Sequence, residues 1–265
     1  MDRRDNNTSH LDVIGVVPMA GRATRLARLP CSKEIHPVES HQGTSPGGES
    51  PRAVCDYLFE KMHEADITRA YVILRDGKWD IPAYLGDGSR AGMHLAYLMM
   101  GLPYGTPYSV DQAYAFLQHA IVAFGFPDMV LGPGNFFGRL LEYQRMNPAD
   151  VVLGLFPSDR PDKVDMVETS GSGKVKRIEI KQQHSDLRTA WGIAVWTPVF
   201  TRFMHDFLAS HQEAADREPE LFMSDVVLAA IKERLNIHAL QVSELPFIDI
   251  GTPEDLVRAN SPVGG

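Results

Sequence analysis

The first residues that could do chemistry lie in a basic, glycine-bearing loop directly after the first apolar run. Val13-Ile14-Gly15-Val16-Val17-Pro18 leads into Met19-Ala20-Gly21-Arg22-Ala23-Thr24-Arg25-Leu26, and the segment continues to Ser32-Lys33-Glu34. Small residues let backbone N–H groups approach an anion closely, and Arg25 and Lys33 add fixed positive charge. Such a cradle after a strand suits the phosphates of a nucleotide. A second signal is Asp128, which follows the apolar run Ile121-Val122-Ala123-Phe124 through Gly125-Phe126-Pro127. A carboxylate at the carboxyl end of a parallel strand sits where ligands bind in open α/β sheets.

These groups need a scaffold, and the pattern of the chain predicts one. Strand-like runs at 12–18, 70–75, 94–99, 120–126 and 151–156 alternate with helical patterns at 51–65 and 135–146. A short helix is expected to begin near Asp111, acting as its N-cap. Alternation of this kind predicts an α/β, Rossmann-like, doubly wound sheet, mixed but mainly parallel, with a nucleotide-binding half over 11–160. From about residue 163 the texture changes to short strands at 164–168, 175–180 and 193–196, with a hairpin-type turn at Ser170-Gly171-Ser172-Gly173. Helices at 198–212 and 222–234 and a strand at 237–242 complete the reading of a smaller α+β lobe over 161–245. Residues 246–260 then return to the main sheet, first as a strand at 246–250, then as a short helix from Pro253. The whole chain reads as one domain, and the Ser-, Gly- and Pro-rich stretch 39–50 reads as a loop.

Composition narrows the classes. The 265 residues carry a net charge of −8, which argues against a general nucleic-acid binder. Apolar residues at 44% and charged residues at 23% describe a globular chain. Cys31 and Cys55 are the only cysteines, too few for a disulfide framework, so a reducing cytoplasm is expected. The ten histidines show no zinc-ligand spacing. No apolar run approaches the roughly 20 residues needed to cross a bilayer, and the polar start lacks a secretory apolar region.

The loop 19–26 with Lys33 resembles the signature of the sugar-1-phosphate nucleotidyltransferases, in which A-G-G-x-G-T-R-L precedes P-K; Ala20 and Ala23 stand at two of its glycines. Tyr84-Leu85-Gly86-Asp87-Gly88-Ser89, continuing to Gly92, Leu95 and Tyr97, is similar to a second family stretch, and reads by itself as a turn. The most specific match is Phe247-Ile248-Asp249-Ile250-Gly251-Thr252-Pro253-Glu254-Asp255-Leu256, which resembles the family ending W-x-D-I-G-T-P-E-D-L. The resemblance implies an enzyme that joins a nucleoside triphosphate, dTTP or UTP, to a sugar 1-phosphate and releases pyrophosphate. It implies Arg25 and Lys33 as catalytic residues and Mg²⁺ on Asp128 and Asp249. Pairing Leu131-Gly132-Pro133-Gly134 with the family's L-G-D-N would instead leave no metal ligand there. Ala20, Gly21, Arg22, Ala23, Thr24 and Gln112 would bind nucleotide, and Asp165, Lys181, Trp191 and Gly192 the sugar phosphate. Lys181 reads equally as a solvated strand-end lysine. Asp165 stands where relatives commonly have glycine, so the sugar, or its orientation, is expected to differ from glucose. The chain ends soon after the last motif, so a single activity is expected, and relatives are often homo-oligomers. A cytidylyltransferase-like enzyme for a non-sugar phosphate or phosphonate, or a nucleotide-binding regulator without turnover, stays open.

Overall fold

The computed structural model describes residues 11–22, 26, 29–39, 52–101, 105–211 and 220–261. Its strands are β1 (Val13–Pro18), β2 (Pro37–Val38), β3 (Arg52–Ala53), β4 (Arg69–Arg75), β5 (His94–Met100), β6 (Ile121–Gly125), β7 (Met129–Val130), β8 (Val151–Pro157), β9 (Met166–Thr169), β10 (Val175–Glu179), β11 (Thr189–Trp196), β12 (Ile237–Gln241) and β13 (Ile248–Asp249). The helices are α1 (Val54–His63), α2 (Asp80–Leu85), α3 (Thr106–Asp111), α4 (Tyr114–Leu117), α5 (Phe136–Met146), α6 (Pro198–Ser210), α7 (Met223–Lys232) and α8 (Pro253–Ala259). No described helix is long and apolar enough to cross a membrane.

One nine-stranded sheet organises the chain, in the order β10-β9-β11-β6-β1-β4-β5, with β8 and then β12 added on the other side of β11. β6, β1, β4 and β5 run parallel to one another, while β11 runs antiparallel to β6 and β8. This is the mixed α/β architecture expected. The central strands are apolar at nearly every position because both faces are covered, as in Ile121–Gly125, all buried. One face packs on Leu58, Phe59, Phe136 and Phe137 from α1 and α5. The other packs on Phe200, Met204, Met223 and Val226 from α6 and α7.

β9 to β12, the strands of the smaller lobe, extend the main sheet. Two local expectations are corrected. The return over 246–250 is not into that sheet: Ile248 and Asp249 pair antiparallel with Val130 and Met129 as a separate two-stranded ribbon. Asp111 ends α3 instead of capping its start, and its carboxylate meets His205 Nδ1 at 3.1 Å. The helix begins after Gly105, at φ +127°, where a Cβ would come within 2.3 Å of the Leu221 carbonyl oxygen. Only glycine tolerates both that conformation and that approach. The 39–50 loop, apart from Glu39, lies outside the described residues.

Candidate active site

β1 delivers Met19 and Ala20 into the core, both buried, and Arg75 at the end of β4 fixes the turn by donating its Nε to the Ala20 carbonyl at 3.1 Å. Gly21 and Arg22 follow as exposed residues. Ala23, Thr24 and Arg25 lie outside the described residues.

Lys33 opens a single turn of 3₁₀ helix, Lys33–Ile35, and its ammonium is ion-paired with the Asp128 carboxylate. Burial pulls the Lys33 pKa down, but Asp128, supported by Glu34 and Asp249, outweighs it and leaves the pKa above the ordinary lysine value. The group is therefore a fixed cation at neutral pH. Asp128 lies between β6 and β7, and the Ile250 N–H donates to its backbone carbonyl at 2.8 Å. Because β13 pairs with β7, Asp249 stands opposite Met129, one residue beyond Asp128. Two carboxylates more than a hundred positions apart are thus brought to one lysine.

The turn carrying Lys33 is held from both sides by a segment that sequence reasoning missed. On one side, the Ser32 N–H and Oγ donate to the two Asp80 carboxylate oxygens at 2.6 and 2.8 Å. On the other, Lys78 Nζ donates to both oxygens of Glu34, at 2.9 and 2.7 Å, in an ion pair that is almost wholly buried. Burial raises the Glu34 carboxyl pKa, against the pull of Lys78 and Lys33. In sequence, Asp76-Gly77-Lys78-Trp79-Asp80 reads only as a polar turn before a helix, so nothing local marks the clamp.

On the far side of β6 the proposed sugar residues form a second cluster. Trp191 Nε1 donates to Ser224 Oγ at 2.8 Å, and Ser224 Oγ donates to Asp165 Oδ2 at 2.5 Å. The other carboxylate oxygen, Asp165 Oδ1, is buried with no hydrogen-bond partner. Burial raises the Asp165 pKa, opposed by Ser224 and by the charge of Lys181. Lys181, at φ +43°, places its Nζ 4.1 Å from the Phe222 ring centroid. Asp165, Lys181 and Trp191 therefore share one neighbourhood, joined by Ser224 and Phe222 at the start of α7. Gly192 has a packing role: a Cβ there would meet Met129 Sδ at 2.9 Å and Phe247 at 3.3 Å, so glycine lets the β7–β13 ribbon close on the sheet. Gln112 is exposed at the end of α3, and its amide donates to the Tyr108 carbonyl one turn earlier.

Among the described residues no three metal-ligating side chains of His, Cys, Asp or Glu gather in one place. Two carboxylates still fit Mg²⁺, which is commonly held by one or two carboxylates together with substrate phosphates and water.

Residues 15–264 match the family model described as nucleotidyl transferase. The chain is 26% identical over 253 residues to a low-salt glycan biosynthesis nucleotidyltransferase of Haloferax volcanii, covering 94% of this chain and 65% of that protein. It is 26% identical over 225 residues to a glucose-1-phosphate thymidylyltransferase of Streptomyces antibioticus, covering 80% and 58%. The chain thus spans less than two thirds of the length of these curated relatives. Its fold superposes on a crystal structure of a putative glucose-1-phosphate thymidylyltransferase from Bacillus anthracis in complex with a sucrose, with a TM-score of 0.75, 18% identity, and 96% and 98% of the two chains covered. With a family model spanning almost all of the sequence, the chain belongs to the nucleotidyl transferase family.

Proposed function

We propose that this protein joins a nucleoside triphosphate, dTTP or UTP, to a sugar 1-phosphate and releases pyrophosphate. The observation that carries this reading is the convergence of Lys33, Asp128 and Asp249 beside the turn that follows β1. A phosphate oxygen of the acceptor attacks the α-phosphorus, a new P–O bond forms, and the bond to the β-phosphate oxygen breaks to release pyrophosphate. The protein's part is positioning and charge neutralisation, with no covalent enzyme intermediate.

In this reading Lys33, kept protonated by its acidic neighbours, lies against the charge that builds on the α-phosphate. Arg25 and the N–H groups of residues 20–24 hold the outer phosphates, and the region of Gln112 borders the base. Asp128 and Asp249 would hold Mg²⁺, which supplies charge neutralisation and orientation of phosphate oxygens when bound. Lys181 orients the acceptor phosphate, with Asp165, Trp191 and Gly192 bordering the acceptor. Residues 11–160 act as the nucleotide half and 161–245 as the acceptor half.

One observation favours a second reading of the acceptor. A buried carboxylate oxygen with no partner is costly, and Asp165 Oδ1 would gain one from a hydroxyl or ammonium group of the acceptor. An acceptor other than glucose 1-phosphate, including a non-sugar phosphate or phosphonate paired with CTP, would suit it. The test is a pyrophosphate-release screen of ATP, GTP, CTP, UTP and dTTP against a panel of sugar phosphates, phosphorylated alcohols and phosphonates. Release with one nucleotide and a sugar 1-phosphate supports the first reading, and release only with a non-sugar acceptor supports the second. Nucleotide binding without release from any pair refutes both and leaves a regulator.

A further inference from the structure

A cleft of about 430 Å³ opens beside Asp249, between the loop after β8, the start of β11, and α8. Four cations line it: Arg160, Lys163, Arg188 and Arg258. Three acids, Asp159, Asp249 and Asp255, line it as well, so its cations outnumber its acids by one, and two of those acids are already committed. Asp255 is buried and takes both its oxygens to Lys163 Nζ, at 2.8 and 2.9 Å, while Lys163 also donates to Thr252 Oγ1 at 3.1 Å. That contact pins α8 to the loop after β8 and gives the cleft its walls. Asp249 faces Lys33 and the proposed metal. The arginines are differently placed. Arg160 has its nearest acid, Asp162, at 3.7 Å, beyond hydrogen-bond range. Arg188 and Arg258 have no acidic partner among the described residues.

This concentration does not follow from composition, because the chain as a whole is acidic at −8. Guanidinium groups present forked donors that match planar or tetrahedral oxyanions, and such charge-assisted bonds are about twice as strong as neutral ones. A volume of this size is in the range of small-molecule sites.

We propose that this cleft is an oxyanion pocket in which Arg188 and Arg258, with Arg160, bind a phosphate or carboxylate group next to Asp249. The group could be a second anion carried by the acceptor, or a free inorganic anion. The pocket stands independently of the nucleotidyl-transfer reading, whereas its use by an acceptor rests on that reading.

The probe is inorganic phosphate, titrated calorimetrically into the full chain with EDTA present so that no metal bridges it. Wild type should bind, with affinity falling as salt rises. The exposed double variant R188Q/R258Q should keep its melting temperature and lose at least about tenfold in affinity. Lys232→Gln, an exposed charge on α7 outside the cleft, should bind as wild type does. Equal binding by wild type and R188Q/R258Q, or an equal loss in Lys232→Gln, overturns the pocket. Kinetics then separate the two sources. If the anion belongs to the acceptor, R188Q/R258Q raises KM about tenfold for a hexose 1,6-bisphosphate or hexuronic acid 1-phosphate, with KM for a plain hexose 1-phosphate unchanged. If it is a free anion, both KM values stay and only the calorimetric loss remains. Failure of wild type to release pyrophosphate with any acceptor would refute the functional reading while leaving the calorimetric result standing.

Discussion

Replacing Lys78 by methionine should destabilise the protein far more than its place in a polar turn suggests. Glu34 is 1% exposed and its two carboxylate oxygens are held by the Lys78 ammonium at 2.9 and 2.7 Å. Removing that cation leaves a buried carboxyl group that must either stay charged without a partner or take up a proton. Breaking one side of a buried pair in this way costs about 3–5 kcal/mol, out of a total domain stability of about 5–15 kcal/mol. Replacing both partners by apolar groups of similar volume is often neutral, so Glu34→Leu combined with Lys78→Met should recover most of the loss. The double variant also loosens the anchor on the turn that carries Lys33, so stability and turnover should separate. Urea denaturation at pH 7, with pyrophosphate release measured beside it, reads both. The single variant should drop by several kcal/mol and the double by about 1 kcal/mol or less, with turnover depressed in both. A single variant within about 1 kcal/mol of wild type, or a double variant no more stable than the single, would refute the reasoning.

Three further outcomes follow from the same geometry. Asp80→Ala removes the acceptors of the Ser32 N–H and Oγ, and should cut turnover about 10- to 100-fold with a stability loss of only about 1–2 kcal/mol; unchanged kcat would show that Lys33 needs no such support. Asp249→Ala should lower turnover by at least about 10²–10³ with the melting temperature preserved, since one charge contact in the transition state is lost; near-normal pyrophosphate release would remove Asp249 from the site. Burial pushes the Asp255 pKa up, but hydrogen bonds from Lys163 and Thr252 outweigh it and hold the carboxyl below its ordinary value. Its stabilisation is therefore present above the unfolded-state pKa of about 3.9 and is lost as pH falls through the lower folded-state value. The stability gap between wild type and Asp255→Asn should be widest near pH 7 and close as pH falls below about 4; a gap that stays constant down to pH 3 would contradict the assignment.

What could be read from the residues, and what could not, divides along physical lines. Buried parallel strands such as Ile121–Gly125 announce themselves as unbroken apolar runs, and α5 announces itself by spacing, while its cap, the Asn135 side chain accepting from the Gly138 N–H at 2.9 Å, emerges from the structure. The ending 247–256 was legible because a loop that must place Asp249 and then start α8 tolerates few alternatives: Thr252 and Asp255 cap each other and Pro253 begins the helix. Pairings between distant segments left no local trace. β13 is two residues long, and whether it joins the main sheet or β7 depends on tertiary contacts alone. Asp111 has the residue type of an N-cap, but Gly105 and Pro107 set the helix start first. Glu34 and Lys78 look like surface charges in sequence, because burial of an ion pair is a property of the assembled fold. The link that Ser224 makes between Trp191 and Asp165 likewise exists only in the assembled fold.

The most direct test of the account is a crystal structure of the protein with Mg²⁺ and the nucleoside triphosphate that supports turnover, or a non-reactive analogue of it. The account predicts one Mg²⁺ within about 2.1 Å of carboxylate oxygens from both Asp128 and Asp249, with the triphosphate on the turn after β1 and Lys33 against the α-phosphate. A triphosphate bound elsewhere, or a metal that touches neither aspartate, would contradict it.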